Sequence, residues 1–297
     1  LTYFEFGTLA ALWVFRARAV QIQVLEVGLG GRLDAVNLID ADAALITPIG
    51  LDHQDWLGPD REAIGREKAG VLRTAQIAVC ADPDPPASIL AQARALGCPL
   101  LRVDDFGSPA LHGHWQWRAR RWPLPALPGA HQRRNAAGVL TLVEALRPRL
   151  PLDDAAIAEG LRQLRLPGRF ERRQHAGRQW VLDVAHNAEG AQVLADALAE
   201  AGLGTIRLVI GMLSDKPVEA VAQALAPQVA AWHYASLPGP RGLAAATLAR
   251  RCARPGALHA DVESALAAAL AASAPGQTLL VCGSFLTVAA AQTWLAA

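Results

Sequence analysis

The sequence has very little lysine, methionine or cysteine. Of its 28 basic residues only Lys68 and Lys216 are lysines, and Met212 is the only methionine. Where arginine supplies nearly all of the positive charge, a lysine is a candidate for a position that needs a primary amine. The chain begins with Leu1 and not with methionine, so we expect further sequence upstream.

Other features that are scarce or absent narrow the class of protein. The 4 cysteines form neither a C-x-x-C metal pattern nor a disulfide framework. No apolar run is long enough to cross a bilayer. The net charge of +1 gives no reason to expect a nucleic acid or an anionic membrane as partner. We therefore expect a cytoplasmic protein that binds small molecules, and we expect it to be a monomer.

Strand-like and helix-like segments alternate along the chain, which is typical of an α/β fold with a mostly parallel sheet. A segment rich in Pro and Arg, residues 166–170, suggests a hinge, so we predict two domains, residues 1–166 and 167–297. The main expected strands cover residues 22–27, 43–49, 77–80, 180–184, 207–212, 231–236 and 278–282.

The most distinctive motif is E-V-G-L-G-G-R-L-D-A at residues 26–35. It places Glu26 at the end of an expected strand, where open α/β sheets bind ligands. A dinucleotide fingerprint would require glycine at the position of Leu33, so that alternative fails. The spacing alone leaves two possibilities open, a ligand-binding loop and an ordinary tight turn.

A second motif, L-D-H-Q-D-W-L-G at residues 51–58, follows the expected strand 43–49. If the two strands are neighbours, Glu26 and His53 lie close enough to hold one divalent cation together. Mg²⁺ prefers oxygen ligands, so His53 alone would not indicate it. A histidine in this place is otherwise a structural residue.

Lys68 lies in the motif G-R-E-K-A-G at residues 65–70. A cation in the last turn of a helix with a glycine just beyond it is ordinary capping. Arginine would serve equally well there, whereas only a primary amine readily forms a carbamate with CO₂. Both interpretations of Lys68 stay open.

Three loops of the second half follow expected strands. They contain Asp183 with His186 and Asn187, the segment 211–216, and the segment 282–285. In a doubly wound sheet these loops would lie at one edge and face one cleft. Each loop taken alone is also compatible with a plain strand-to-helix turn.

Together with P-G-R-F at residues 167–170, D-V-A-H-N at 183–187 and C-G-S-F at 282–285, these motifs resemble the dihydrofolate synthase/folylpolyglutamate synthase branch of the Mur ligase superfamily. The resemblance runs over nearly the whole chain. It implies that residues 1–166 are an incomplete central domain that binds ATP and Mg²⁺. It also implies that residues 167–297 are a Rossmann-like glutamate ligase domain.

The resemblance also implies roles for individual residues. The implied Mg²⁺ ligands are Glu26 and His53. The implied catalytic residues are Lys68, as a carbamate, Asp183 and His186. The implied ATP contacts are Asn135, Arg169 and Asp183. The implied substrate contacts are Thr2, Tyr3, Phe4, Glu5, Leu33, Asp34 and Ala35 for the pterin, and Ser284 for the amino-acid and phosphate side.

The implied reaction adds L-glutamate to dihydropteroate and to folates. ATP converts the substrate carboxylate into an acyl phosphate, which the glutamate amine then attacks. The sequence contains no G-x-x-x-x-G-K-S/T phosphate loop, so we expect little or no ligase activity from these 297 residues alone. The alternatives are another Mur-type ligase, a fragment or pseudoenzyme that binds nucleotide without catalysis, and a nicotinamide dehydrogenase.

Overall fold

A computed structural model describes residues 1–110 and 113–297 and divides the chain into two compact units. Unit 1 consists of Leu1–Trp122 and Arg133–Ile157, and unit 2 consists of Pro123–Gln132 and Ala158–Ala297. The expected boundary after residue 166 lies inside unit 2, so it remains a prediction about functional domains.

Unit 1 is built around a small parallel sheet of strand order β1-β2-β3, and a second small sheet has the order β4-β5-β6. Ile46, Ile64 and Ile89 belong to the apolar core that covers the first sheet. The elements as far as residue 163 are α1 Tyr3–Ala17, β1 Ala43–Ile46, α2 Gln54–Leu57, α3 Arg61–Ala69, β2 Ile77–Cys80, α4 Ala87–Ala95, β3 Leu100–Arg102, β4 Ser108–Ala110, β5 His114–Trp117, β6 Arg120–Pro123, α5 Ala130–Leu146 and α6 Asp154–Gln163.

The expected strand at residues 22–27 is not formed. This segment belongs to no strand within residues 1–110 and 113–297, and Val24 is 90% exposed. An apolar run becomes a strand only where a neighbouring strand accepts and donates the backbone hydrogen bonds. The described residues supply no such neighbour, so the prediction of a buried strand ending at Glu26 was wrong.

Unit 2 contains a six-stranded sheet of order β11-β10-β9-β12-β8-β7. All of its pairings are parallel except that of β7 with β8. The elements are β7 Glu171–His175, β8 Arg178–Leu182, α7 Ala188–Glu200, β9 Ile206–Ile210, α8 Val218–Leu225, β10 Val229–Ala235, α9 Ala245–Cys252, β11 Ala257–His259, α10 Val262–Ala271, β12 Thr278–Cys282 and α11 Phe285–Ala296.

The sheet of unit 2 is covered on both faces, which explains why its central strands have continuous apolar sequences. One apolar cluster includes Leu208 and Leu280, and a second includes Val209 and Val281. Neighbouring residues of one strand thus face opposite cores. The predicted α/β class is confirmed. Within the described part of the chain, no helix combines the length and apolar character needed to cross a membrane.

Candidate functional site

Three loops meet at one edge of the sheet of unit 2. Strands β8, β12 and β9 are parallel neighbours, so their carboxyl ends lie side by side. The backbone N–H of Gly283 donates to the carbonyl of Ala185 at 3.0 Å, and the Thr287 hydroxyl donates to the carbonyl of Gly211 at 2.8 Å. The prediction that these loops share one edge is confirmed.

Asp183 joins two of the motifs, P-G-R-F and D-V-A-H-N, at this edge. Its Oδ2 accepts from the N–H of Phe170 at 2.8 Å, and its Oδ1 accepts from the N–H of Ala185 at 2.8 Å. Burial raises the pKa of Asp183 above its ordinary value, although these two bonds and the charge of Arg169 act in the opposite direction. Asp183 therefore holds the P-G-R-F turn against the end of β8, and its contact with ATP remains a prediction.

The P-G-R-F turn presents its arginine to solvent. Gly168 has a φ of +69°, a left-handed conformation that glycine adopts without steric cost. Its carbonyl accepts from the N–H of Val184 at 2.9 Å, which fastens the turn to β8. The side chain of Arg169 is exposed, as a side chain that contacts a nucleotide would be.

His186 and Ser284 lie at the same edge, but they differ in how many of their polar atoms are already hydrogen-bonded within the protein. Nδ1 of His186 is 2.8 Å from the carbonyl of Val184, so Nδ1 carries the proton and Nε2 remains for other partners. Ser284 is only 4% exposed. Its hydroxyl caps α11 by accepting from the N–H of Thr287 at 3.1 Å. Ser284 thus shapes the loop, and its predicted contact with substrate remains a prediction.

In unit 1 the Gly-rich loop packs directly on the helix that carries Lys68. The N–H of Arg32 donates to the carbonyl of Glu67 at 2.8 Å, and the Arg32 guanidinium forms an ion pair with the Glu67 carboxylate at 3.0 Å. A Cβ on Gly31 would lie 2.8 Å from the Glu67 carbonyl and 3.1 Å from that of Lys68. The close approach of these two motifs therefore requires glycine at position 31.

Lys68 is partly buried in the last turn of α3. Burial lowers the pKa of its ammonium group, because the neutral amine loses less solvation than the cation. A larger fraction of this lysine is therefore the nucleophilic neutral amine. This property suits the predicted carbamate, which itself remains a prediction.

The other residues of the Gly-rich loop are mainly structural. Asp34 closes the loop, because its Oδ2 accepts from the N–H of Leu29 and its Oδ1 from that of Val36, both at 2.9 Å. Leu33 is 79% exposed, and Ala35 begins a short 3₁₀ helix. Of the three predicted pterin contacts in this loop, Leu33, Asp34 and Ala35, only Leu33 offers a large apolar surface to a ligand.

The start of α1 lies beside this loop. A Cβ on Gly28 would be 2.7 Å from the ring of Phe4, so the two are in contact. Thr2 and Glu5 cap α1 reciprocally, and hydrogen bonds from Thr2 lower the pKa of Glu5. Tyr3 is 95% exposed. Phe4 thus contacts the Gly-rich loop directly, and a pterin-binding role of residues 2–5 remains a prediction.

The predicted metal ligands are both exposed. Glu26 lies on the unpaired segment 22–27, and His53 precedes α2 with a left-handed φ of 51°. Within the described residues no group of three or more His, Cys, Asp or Glu side chains could hold a metal ion. Because residues 22–27 form no strand, the argument that placed both residues on neighbouring strand ends no longer holds. Asn135, the remaining predicted ATP contact, is partly buried in α5.

The comparisons with known proteins identify the family. A family model described as Mur ligase, glutamate ligase domain, matches residues 168–285. A dihydrofolate synthase/folylpolyglutamate synthase of Escherichia coli (strain K12) is 41% identical over 296 residues, covering 97% of this chain and 68% of that protein. The chain belongs to the dihydrofolate synthase/folylpolyglutamate synthase family.

Two solved structures of similar synthases contain ligands. The bifunctional folylpolyglutamate synthase/dihydrofolate synthase of Yersinia pestis, complexed with AMPPNP and Mn ion, is 44% identical, with a TM-score of 0.88 over 100% of this chain and 72% of that one. Another such synthase, with Mn, AMPPNP and L-glutamate bound, is 44% identical, with a TM-score of 0.87 over the same shares. The resemblance seen in the motifs is thereby confirmed.

Sequence reasoning missed one ion pair, in which the carboxylate is buried. Asp82 is 2% exposed and accepts from the Arg61 guanidinium at 2.9 Å. Its Oδ2 also accepts from the N–H of Ile49 at 2.6 Å, so it fixes the segment that leads to His53. Its position just after the strand 77–80 was a signal that could have identified it.

Proposed function

We propose that the chain acts in the ATP-dependent addition of L-glutamate to dihydropteroate and to folates. The observation that carries the proposal is the 41% identity, along 97% of this chain, to a dihydrofolate synthase/folylpolyglutamate synthase. The similar synthase with Mn, AMPPNP and L-glutamate bound supports the same set of ligands. Among ligases of the superfamily, this similarity favours pterin substrates over cell-wall precursors.

The proposed reaction has two steps. The γ-phosphoryl group of ATP passes to an oxygen of the substrate carboxylate, which gives ADP and an acyl phosphate. The amine nitrogen of L-glutamate then attacks the acyl carbon. The carbon–oxygen bond to phosphate breaks, and the nitrogen loses a proton as the amide forms. Both steps bring anions together, so groups that offset negative charge stabilise the transition states.

We assign the residues of the chain to parts of this reaction. Arg169 offers a guanidinium to the nucleotide, and Asp183 holds the turn that carries it. His186 has Nε2 available towards the amino-acid side. In unit 1, Leu33 and Tyr3 present exposed apolar surface to the pterin. We also propose that Asn135 contacts the nucleotide.

For the metal ion we propose only the protein ligands and no step of the reaction. A divalent ion would offset the charge of the phosphates when bound, and Glu26 and His53 are its proposed protein ligands. Two side chains with substrate oxygens and water are enough for Mg²⁺. The described residues assemble no metal centre by themselves, so no step is assigned to the ion. We also propose a cytoplasmic location, because the free cysteines fit a reducing compartment, and we propose that the protein is a monomer.

The function can be tested by ligand binding and by ligation. We expect AMPPNP with Mn²⁺, and L-glutamate, to perturb NMR signals of the loops 183–187, 211–216 and 283–285 of the full chain. Formation of ADP with dihydropteroate should be slight or absent, because these residues contain no phosphate loop. Any ADP that does form should require L-glutamate, and muramyl precursors should support none. A chain that binds neither AMPPNP nor L-glutamate would contradict the proposal.

A separate prediction concerns Lys68. With ¹³C-labelled bicarbonate, we expect a ¹³C NMR carbamate signal that disappears in Lys68→Arg, because arginine retains the charge but forms no such adduct. The lowered pKa of Lys68 favours the neutral amine that reacts. The chain supplies its own matched control, since Lys216 is the only other lysine. Lys216→Arg should keep the signal, and its loss in that variant instead would contradict the assignment.

A further inference from the structure

We infer that Glu171 is a positioning residue that locks the P-G-R-F turn, so that Arg169 is held at the edge of the sheet where nucleotide is proposed to bind. The inference rests on the proposed function for the role of Arg169. It adds a residue that the motif leaves out, because Glu171 follows the last residue of P-G-R-F.

Glu171 contacts the turn and two other elements at once. Its Oε2 accepts from the N–H of Gly168 at 2.8 Å and from the side-chain amide of Gln292 on α11 at 2.7 Å. Its Oε1 accepts from Nε of Arg173 at 2.7 Å. The carboxylate side chain is 13% exposed. A single, largely buried carboxylate therefore links the turn, β7 and α11.

The charge of Glu171 is maintained by these partners. Burial acts to raise the pKa of this carboxyl, but the hydrogen bonds from Gly168, Gln292 and Arg173 outweigh burial and hold the pKa below its ordinary value. Hydrogen bonds to an ionised acceptor are roughly twice as strong as neutral ones. At neutral pH the turn and α11 are thus linked by hydrogen bonds to an ionised carboxylate, which are stronger than neutral ones.

The turn needs such a link because its conformation is strained. Phe170 has a φ of 44°, which is costly for an aromatic residue and persists only where surrounding contacts enforce it. Asp183 holds the N–H of Phe170 on one side, and Glu171 holds the N–H of Gly168 on the other. Arg169 lies between these two fixed points, so its direction is determined by both carboxylates.

Helix α11 provides the fixed support for Glu171. The ring of Trp294 lies 5.2 Å from that of His175 and 5.8 Å from that of Trp180, which packs α11 against β7 and β8. A Cβ on Gly168 would be 3.2 Å from Cγ1 of Val288, so α11 also contacts the turn directly. Ser284 caps the same helix, so the turn and the 282–285 loop are fixed to one element.

The first test measures the turn itself. In the full chain, Glu171→Ala should speed hydrogen exchange of the Gly168 N–H by roughly tenfold to a hundredfold, because that N–H loses a charged acceptor. Glu171→Gln retains an acceptor and should exchange more slowly than Glu171→Ala. Glu263→Ala removes an exposed carboxylate of the same unit and should leave the exchange unchanged. Equal exchange in Glu171→Ala and the unsubstituted chain would overturn the inference.

The second test asks whether the locked turn matters for nucleotide. Binding of AMPPNP with Mn²⁺ should weaken in Glu171→Ala towards the affinity of Arg169→Ala, although Arg169 is intact, and Glu171→Gln should restore most of it. A turn that loosens while AMPPNP binds as tightly as before would make Glu171 merely structural and refute the inference. Failure of the unsubstituted chain to bind AMPPNP would instead overturn the proposed role of Arg169, and the positioning role with it.

Discussion

Replacement of Asp82 by alanine should lower the free energy of unfolding of unit 1 by about 3 kcal/mol, since a buried charge pair is broken and two N–H groups lose their acceptor. Asp82 accepts from the N–H groups of Ile49 and Asp84 at 2.6 and 2.9 Å, besides its pairing with Arg61. Arg61 is 38% exposed, so water solvates it in the variant and the loss stays at the lower end of the range for buried pairs.

Hydrogen exchange of the β2 amides measures this effect within unit 1. Asp84→Ala is the matched control, because it removes the same charge beside the same Arg61 from a side chain that is 94% exposed. An exposed pair contributes at most about 1 kcal/mol, so this control should change stability little. If Asp82→Ala fails to fold, Asp82→Asn, which keeps the shape of the side chain, takes its place. Its loss of stability should exceed that of Asp84→Ala and stay below about 3 kcal/mol. Equal losses in Asp82→Ala and Asp84→Ala would refute the prediction.

The fold of unit 2 could be predicted well because its sequence and its environment agree. Strand β12 is buried at every position, and its predicted bounds, residues 278–282, match those of the structure. In a parallel sheet with both faces covered, a continuous apolar run between turn signals is sufficient to indicate a strand. The meeting of three loops at one edge then follows from parallel pairing alone.

Strand β7 was missed for the opposite reason. Its sequence, E-R-R-Q-H, is entirely polar, and it lies at the edge of the sheet, antiparallel to β8. An edge strand buries little, so the apolar pattern that indicates a strand is absent. The omission mattered, because Glu171 is its first residue.

The motifs could name candidate residues for the site, but they could not give the geometry of those residues. The motifs located Lys68 and Asp183, and the structure shows that one is partly buried and the other bonded to two backbone N–H groups. The spacing of motifs does not show whether an apolar run pairs with a neighbouring strand. Glu26 lies on a run that forms no such pairing within the described residues. The interpretation of Glu26 and His53 as neighbours needed that partner.

A cluster of two histidines and an arginine crosses three strands of unit 2. Nε2 of His233 lies 3.2 Å from a guanidinium nitrogen of Arg207, and Nδ1 of His233 lies 3.0 Å from Nε2 of His259. Arginine only donates hydrogen bonds, so Nε2 of His233 must be the acceptor and Nδ1 carries the proton. A second proton on His233 would point an N–H at the arginine, which removes a hydrogen bond and adds repulsion.

This arrangement makes the histidine pair sensitive to acid. His233 is 5% exposed. Burial, with the charges of His259 and Arg207, lowers the pKa of His233 from 6.5 to about 4. Burial also lowers the pKa of His259, although the nearby Asp261 acts to raise it. The folded state therefore favours neutral imidazoles, while the unfolded chain takes up protons once the pH falls below 6.5.

The resulting contribution to stability is fully present above pH 6.5 and is lost as the pH falls towards 4. We expect His233→Gln to remove about 2–3 kcal/mol of the pH dependence of the unfolding free energy across this interval, since each pKa unit corresponds to about 1.4 kcal/mol. Urea unfolding at a series of pH values measures it. The carboxylates contribute the same pH dependence to both proteins. Parallel plots of unfolding free energy against pH for His233→Gln and the unsubstituted chain would therefore show that the buried histidine pair does not control the acid sensitivity.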